Sequence, residues 1–122
     1  MNAVKKAVAV CGGKKIACRI TDNFFERAQG IMFCKKEFVP LLIVFAQEGE
    51  KTNALHSFFC PPFDAVFLDG SGKVVEVKKN IAPNSPAIIS CRNCKMVLEM
   101  PAKQSSGIEA GKKIVFKEHK SA

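Results

Sequence analysis

His56 and Asp64 bracket the densest run of chemically capable residues in the chain, HSFFCPPFD, with Cys60 between them. A histidine titrates close to neutrality, so His56 could bind a metal or hydrogen-bond an acidic ligand; the alternative is a half-buried strand histidine with a satisfied ring. Asp64 could orient His56 or a ligand, or close the Pro61–Pro62 turn through the backbone. A Cys60–His56 nucleophile pair would suit a hydrolase. Residues four apart in an extended strand stand about 13 Å apart, however, so the pair needs the Pro-Pro turn to fold the chain back.

Arg27 offers a planar fork for a carboxylate or a phosphate. It is equally a partner for Glu99, a lone charge in the apolar run MVLEMP. Such charges are rarely buried unpaired. A structural Arg27–Glu99 ion pair is therefore expected, and it would lower the pKa of Glu99. Arg27, His56 and Asp64 form the expected ligand-binding set.

Cys91 and Cys94, in CRNC, are half of a zinc knuckle. Tetrahedral zinc wants four ligands, and no second CxxC follows, so these two are weak metal candidates and no cofactor is expected. Cys11 and Cys18 could meet across a hairpin. No phosphate-cradling glycine loop, GxSxG elbow or HExxH helix is present, and no catalytic residue is assigned.

The surroundings of these residues are basic and rich in phenylalanine. The 122 residues carry a net charge of +8, from sixteen Lys and three Arg against eleven acids. Arg supplies the geometry for reading phosphates and bases, and its scarcity argues against specific nucleic-acid binding. Ten Phe without Trp or Tyr suggest core rather than a stacking platform. No segment reaches the roughly 18–20 apolar residues of a membrane span. The apolar run Ala7 to Val10 behind Lys5 and Lys6 is too short for a secretory signal, so a cytoplasmic protein with reduced thiols is expected.

Short elements must position the candidate residues. AVAVCGGKKIACRI reads as a hairpin about Gly12-Gly13. Asn23 and Glu26 have capping-box spacing for a helix of about two turns that Gly30 stops. Strands are expected at PLLIVFAQ, ALHSFF, KMVLEM and KKIVFK. DAVFLDGSGKVVEV forms a second hairpin. Seven or eight short strands with one or two short helices imply a mainly β protein: a compact antiparallel β-sandwich or partly open, jelly-roll-like barrel. Phe33, Val44, Phe45, Phe67, Val75, Leu98 and Val115 are expected to be buried, as are Phe58, Phe63, Val66 and Leu68.

Several segments resemble a family known as the domain of unknown function 192. ERAQGIMFCKK, Glu26 to Lys36, is similar to its ER-x-x-G-L-M-F-R signature, and LLIVF, Leu41 to Phe45, to its M-L-F-V-F strand. ALHSFFCPPFDAVFLDGSGKVVEV resembles an archaeal-style A-I-H-x-F-F block. KMVLEMPAK followed by GIEAGKKIVF resembles V-L-E-L-P-A-G and G-x-x-x-G-D. The likeness runs from about Ile16 to Phe116 within a single domain spanning 1–122, flanked by a short N-terminal strand and a basic tail. Lys103 stands where the family has glycine, and Lys112 where it has aspartate. The resemblance implies a β-sandwich or jelly-roll-like fold and leaves activity open. The functional expectation is a binding module for a small polar or anionic ligand. The alternatives are a metal-dependent or Cys/His hydrolase, and an interaction adaptor using the loop Asn80–Pro86.

Overall fold

The computed structural model describes residues 5–21, 23–49, 54–90 and 93–118. Among them are seven strands and one helix: β1 (Lys5–Cys11), β2 (Lys14–Thr21), α1 (Phe24–Gln29), β3 (Leu41–Val44), β4 (Phe63–Leu68), β5 (Val74–Ile81), β6 (Met96–Pro101) and β7 (Val115–Glu118). The strands form one sheet in the order β5-β4-β6-β3-β2-β1-β7.

Local signals set the hairpins and the helix. Gly12, at φ +60°, lets β1 turn into β2 with Cys11 opposite Lys14. The Asn23 side chain accepts the Glu26 N–H at 2.9 Å, capping α1, and Gly30, with φ +51°, ends it. In the β4–β5 turn Asp69 Oδ1 accepts from Ser71 N, Ser71 Oγ and Lys73 N.

The sheet is mixed, not purely antiparallel. β2 pairs parallel with β3, Arg19 opposite Leu41, and the segment from Thr21 to Leu41 supplies the long crossover that parallel neighbours need. β6 lies between β3 and β4, antiparallel to both. The expected strand at ALHSFF is reduced to one bridge, Leu55 to Ile88. The backbone turns away there, because Ser57 N bonds Ser85 O and Cys60 N bonds back to Ser57 O.

Alternation in β4 and β6 divides the core in two. Val66, Leu68, Leu98 and Met100 face one cluster, which also takes Ala7, Ala9, Cys18 and Ile114, so the sheet curls around it. The first residues of β5 are stitched to the approach of β7: Val74 N to Lys112 O and Ile114 N to Gly72 O, at 2.8 and 2.9 Å. A Cβ on Gly72 would lie 2.6 Å from Ile114 O, so only glycine permits that approach. The sheet curls without closing into a barrel, an open β-sandwich arrangement.

Phe63, Ala65, Phe67 and Val97 face the second cluster, with Ile31, Phe38, Leu41, Ile43, Phe45 and Leu55. Covered on both faces, β4 is buried at every position. Phe45, Phe67 and Leu98 are buried as expected, and Val44 and Val75 are half-buried. Three expectations fail. Val115 is 48% exposed, because β7 is an edge strand that turns Phe116 inward instead. Phe58 is exposed on the diverted segment. Phe33 is 74% exposed at φ +64° and stacks on Phe59, with centroids 5.3 Å apart.

Candidate functional site

The second cluster does not fill its side of the sheet. It leaves a cavity of about 500 Å³, large enough for a small organic molecule. Ile31, Ile43, Phe45 and Leu55 give it an apolar wall; Arg27, His56, Cys60 and Glu99 are its ionisable lining residues. Three elements converge to make it. The end of α1 brings Arg27 and Gly30, the diverted segment brings His56 and Cys60, and β6 brings Glu99.

Glu99 is the residue whose surroundings depart furthest from what its chemistry asks. It sits at a position of β6 that faces the second cluster, opposite Leu41 on one side and Ala65 on the other. It is only 2% exposed, and its Oε1 has no hydrogen-bond partner among the described residues. A Cβ on Gly30 would lie 3.3 Å from that oxygen, so the missing side chain of Gly30 is what leaves it room. Burial pushes the carboxyl pKa up to about 8. At neutral pH the group is a carboxylic acid able to donate a hydrogen bond, an arrangement found at sites that work on ligands.

The expected Arg27–Glu99 ion pair is not formed. Both side chains line the same cavity, but Glu99 Oε1 is unpartnered and its pKa moves up, the reverse of what pairing would do. The Arg27 guanidinium reaches along β3 instead, and its Nη1 approaches Val44 O at 3.4 Å. One short helix and one strand bring the two charges to the same wall, but β3 offers Arg27 a backbone acceptor first.

His56 lines the cavity wall. Its ring nitrogens are 2.7 Å from Ala28 O and 3.2 Å from Phe58 N. The second contact makes Nδ1 the acceptor, so Nε2 carries the proton and donates to Ala28. The ring thus clamps the diverted segment to α1 in a defined tautomer.

Asp64 does not belong to the site. It is fully buried and points to the opposite face, and it is not among the residues lining the cavity. Its Oδ1 accepts from Asn80 N at 2.8 Å. Its Oδ2 accepts from Lys103 N, Ser105 N and Ser105 Oγ, at 3.1, 3.2 and 2.6 Å. A carboxylate with four donors has no capacity left for a ligand, and Asp64 acts as a brace. It does not cap the Pro61–Pro62 turn either; it holds the β5 bulge and the loop that follows β6.

The hydrolase pair also fails on geometry. The Cys60 thiol approaches the carbonyl oxygens of Phe58 and His56, at 3.4 and 4.0 Å, rather than the imidazole. Burial, with smaller contributions from Glu99 and Cys34, pushes it up to about 11, whereas a nucleophilic thiol needs a lowered pKa. Cys94 is buried, with its pKa raised by burial, and Cys91 lies outside the described residues. No cluster of metal-ligating side chains occurs among the described residues. Cys11 and Cys18 are both buried free thiols on the other face. The segment Asn80–Pro86, the contact surface expected of an adaptor, is tied to Ser57: Ser57 Oγ donates to Ala82 O at 2.6 Å and accepts from Ser85 N at 2.7 Å. The sequence gives no sign of the part played by Ser57 or of the unpartnered state of Glu99, and it marks Gly30 only as a helix stop. The one signal for Glu99 was a charge at an inward position of an apolar strand.

Comparison with known proteins gives a family and a fold. The family model DUF192, described as an uncharacterized ACR, matches residues 7–116. A UPF0127 protein of Pyrococcus horikoshii is 38% identical over 60 residues, 48% of this chain and 51% of that protein. A UPF0127 protein of Thermococcus sibiricus is 32% identical over 62 residues, 50% of this chain and 40% of that protein. The matches thus span about half or less of these relatives' lengths. A solved Sinorhizobium meliloti structure, described provisionally as a transcription regulator, superimposes with a TM-score of 0.80 at 18% identity, covering 93% of this chain and 94% of its own. A Novosphingobium aromaticivorans protein of unknown function follows, with a TM-score of 0.74 at 15% identity, over 92% of this chain and 84% of its own. At these identities the likeness is one of fold alone.

Proposed function

The chain belongs to the DUF192 family, and from that premise we propose that it is a binding module for a small polar or anionic ligand, taken into the cavity between α1, the 54–60 segment and β6. One observation carries this reading. Glu99 is buried without a hydrogen-bond partner for Oε1, on the wall of a cavity of about 500 Å³. An unsatisfied buried polar group costs roughly 1–3 kcal/mol, and a ligand in the adjoining cavity would offset that cost. Arg27, Gln29 and Gln47 add polar groups to a lining that Ile31, Ile43, Phe45 and Leu55 make apolar elsewhere. Among the described residues no helix is long and apolar enough to cross a membrane.

The test is an unbiased metabolite screen read by thermal shift, run on the wild type and on Ala54→Trp, which fills the cavity from its wall. A ligand at 100 times its Kd is expected to stabilise the wild type by about 2.7 kcal/mol and to leave the filled variant unmoved. The reading is abandoned if no compound shifts the wild type, or if every hit shifts both proteins equally.

A further inference from the structure

We propose that the ligand is a small monocarboxylate with an apolar body, its carboxylate received between the Arg27 guanidinium and the buried carboxyl of Glu99. This rests on the binding reading above and names the chemistry of that site. The shape of the enclosure argues for the apolar body. Ile31, Ile43, Phe45 and Leu55 present no hydrogen-bonding side chain, so the part of the ligand lying against them gains only by leaving water. The polar groups argue for the head. Glu99 lines the cavity at 2% exposure, and its buried Oε1, packed against Gly30, has nothing bonded to it among the described residues. A buried acid in its neutral form donates one strong hydrogen bond, and a carboxylate is the strongest common acceptor for it.

Arg27 decides the sign of the charge. Its guanidinium carries five donors, so it can keep its protein contacts and still offer an N–H to the cavity. The Arg27 cation is one of the groups lining the cavity, and a cation there favours an anion and disfavours an amine. The other ionisable groups facing Glu99 do not reverse this. His56 has both ring nitrogens engaged by backbone, and the Cys60 thiol, beside Cys34, stays protonated below about 11. A free carboxylate requires the acid form of Glu99. Where Glu99 has begun to ionise, binding must therefore take up a proton from solution, and affinity falls as pH rises.

Phenylacetate, phenylacetamide and phenethylamine differ at the head and share a body. Titration calorimetry of each against the full chain between pH 7 and pH 9 tests the inference. Phenylacetate is expected to bind about tenfold or more tighter than the other two. It should weaken about tenfold from pH 7 to pH 9, with proton uptake rising toward one. Glu99→Gln, which cannot ionise, should remove the pH dependence of phenylacetate binding. Arg27→Met should lower affinity for the acid and not for the amide. Tighter binding of the amine, equal binding of the amide, or pH-independent binding of the acid overturns this inference and leaves the binding reading standing. Binding of none of the three, after a screen that also finds no ligand, overturns both.

Discussion

Asp64 and Glu99 are neighbours across the β4–β6 ladder, Asp64 opposite Met100 and Glu99 opposite Ala65, yet they face opposite sides of the sheet and live by opposite rules. Each is a carboxyl inside an apolar strand with almost no exposure. Asp64 has four donors aimed at it from Asn80, Lys103 and Ser105. Glu99 has none on Oε1 and borders open space. Burial alone does not tell a brace from a site; the hydrogen bonds around the buried group do.

The harshest way to break this contrast is to remove the brace. Asp64→Ala strands three backbone N–H groups and one hydroxyl that now bond a carboxylate. At roughly 1–3 kcal/mol for each stranded donor, the loss should be about 5 kcal/mol or more. Denaturant unfolding at pH 7 checks it, and a loss under about 1 kcal/mol would mean that water replaces the carboxylate freely.

Glu99→Gln should behave in the opposite manner, through pH. The folded pKa of Glu99, about 8, lies above its ordinary value of 4.5. Between those values the unfolded chain has released the proton and the folded chain still holds it. The contribution of Glu99 to stability is thus greatest below pH 4.5 and declines as pH rises toward 8. The upper bound on that decline is about 5 kcal/mol. Glu99→Gln cannot ionise and escapes it, so its stability relative to wild type should rise with pH from 4 to 9, toward that bound. A flat difference across the range would mean that folding leaves the pKa of Glu99 where it stands in the unfolded chain. An ion pair with Arg27, the arrangement expected from sequence, would have made the same substitution more harmful at pH 7 than at pH 3.

Gly30 sharpens the Glu99 half of the contrast. A Cβ there would stand 3.3 Å from Oε1, at a φ of +51° that side chains rarely adopt. Gly30→Ala should cost about 1–2 kcal/mol and weaken any occupant of the cavity, measured as a smaller ligand-induced thermal shift. Lys103 sharpens the other half. It holds φ +75° while giving its N–H to Asp64. Lys103→Gly should leave that bond in place and stabilise by about 0.5–1 kcal/mol, readable as a small rise in Tm.

What was legible in the sequence follows the distance over which each signal acts. The Gly12-Gly13 turn, the Asn23 cap, the stop at Gly30 and the Asp69 turn are written in a few adjacent residues, and each stands where expected. The strand order was not legible. Nothing near Arg19 says that it will run parallel beside Leu41, and nothing in MVLEMP says that it will lie between β3 and β4. Phe33 and Val115 were expected inside because their side chains are apolar; a left-handed backbone and an edge strand put them outside. The two acids were misassigned for a related reason. In sequence both are single charges in apolar runs, and their partners, or want of them, come from segments remote along the chain.

The place of β6 has a consequence for how the chain is made. It is the sixth of the seven strands to emerge, yet it fills the gap between the third and the fourth. Until Met96 and its successors leave the ribosome, β3 and β4 each keep an open, strongly apolar edge, and the nascent chain holds separate hairpins rather than a sheet. Pulse-labelled hydrogen exchange during refolding is expected to protect the β1–β2 amides before those shared by β3 and β6; simultaneous protection would refute that order. The strand that seals the two halves together is also the one that carries Glu99. The carboxyl therefore loses its water in the closing step of assembly, and an immature chain has no cavity in which to trap a ligand.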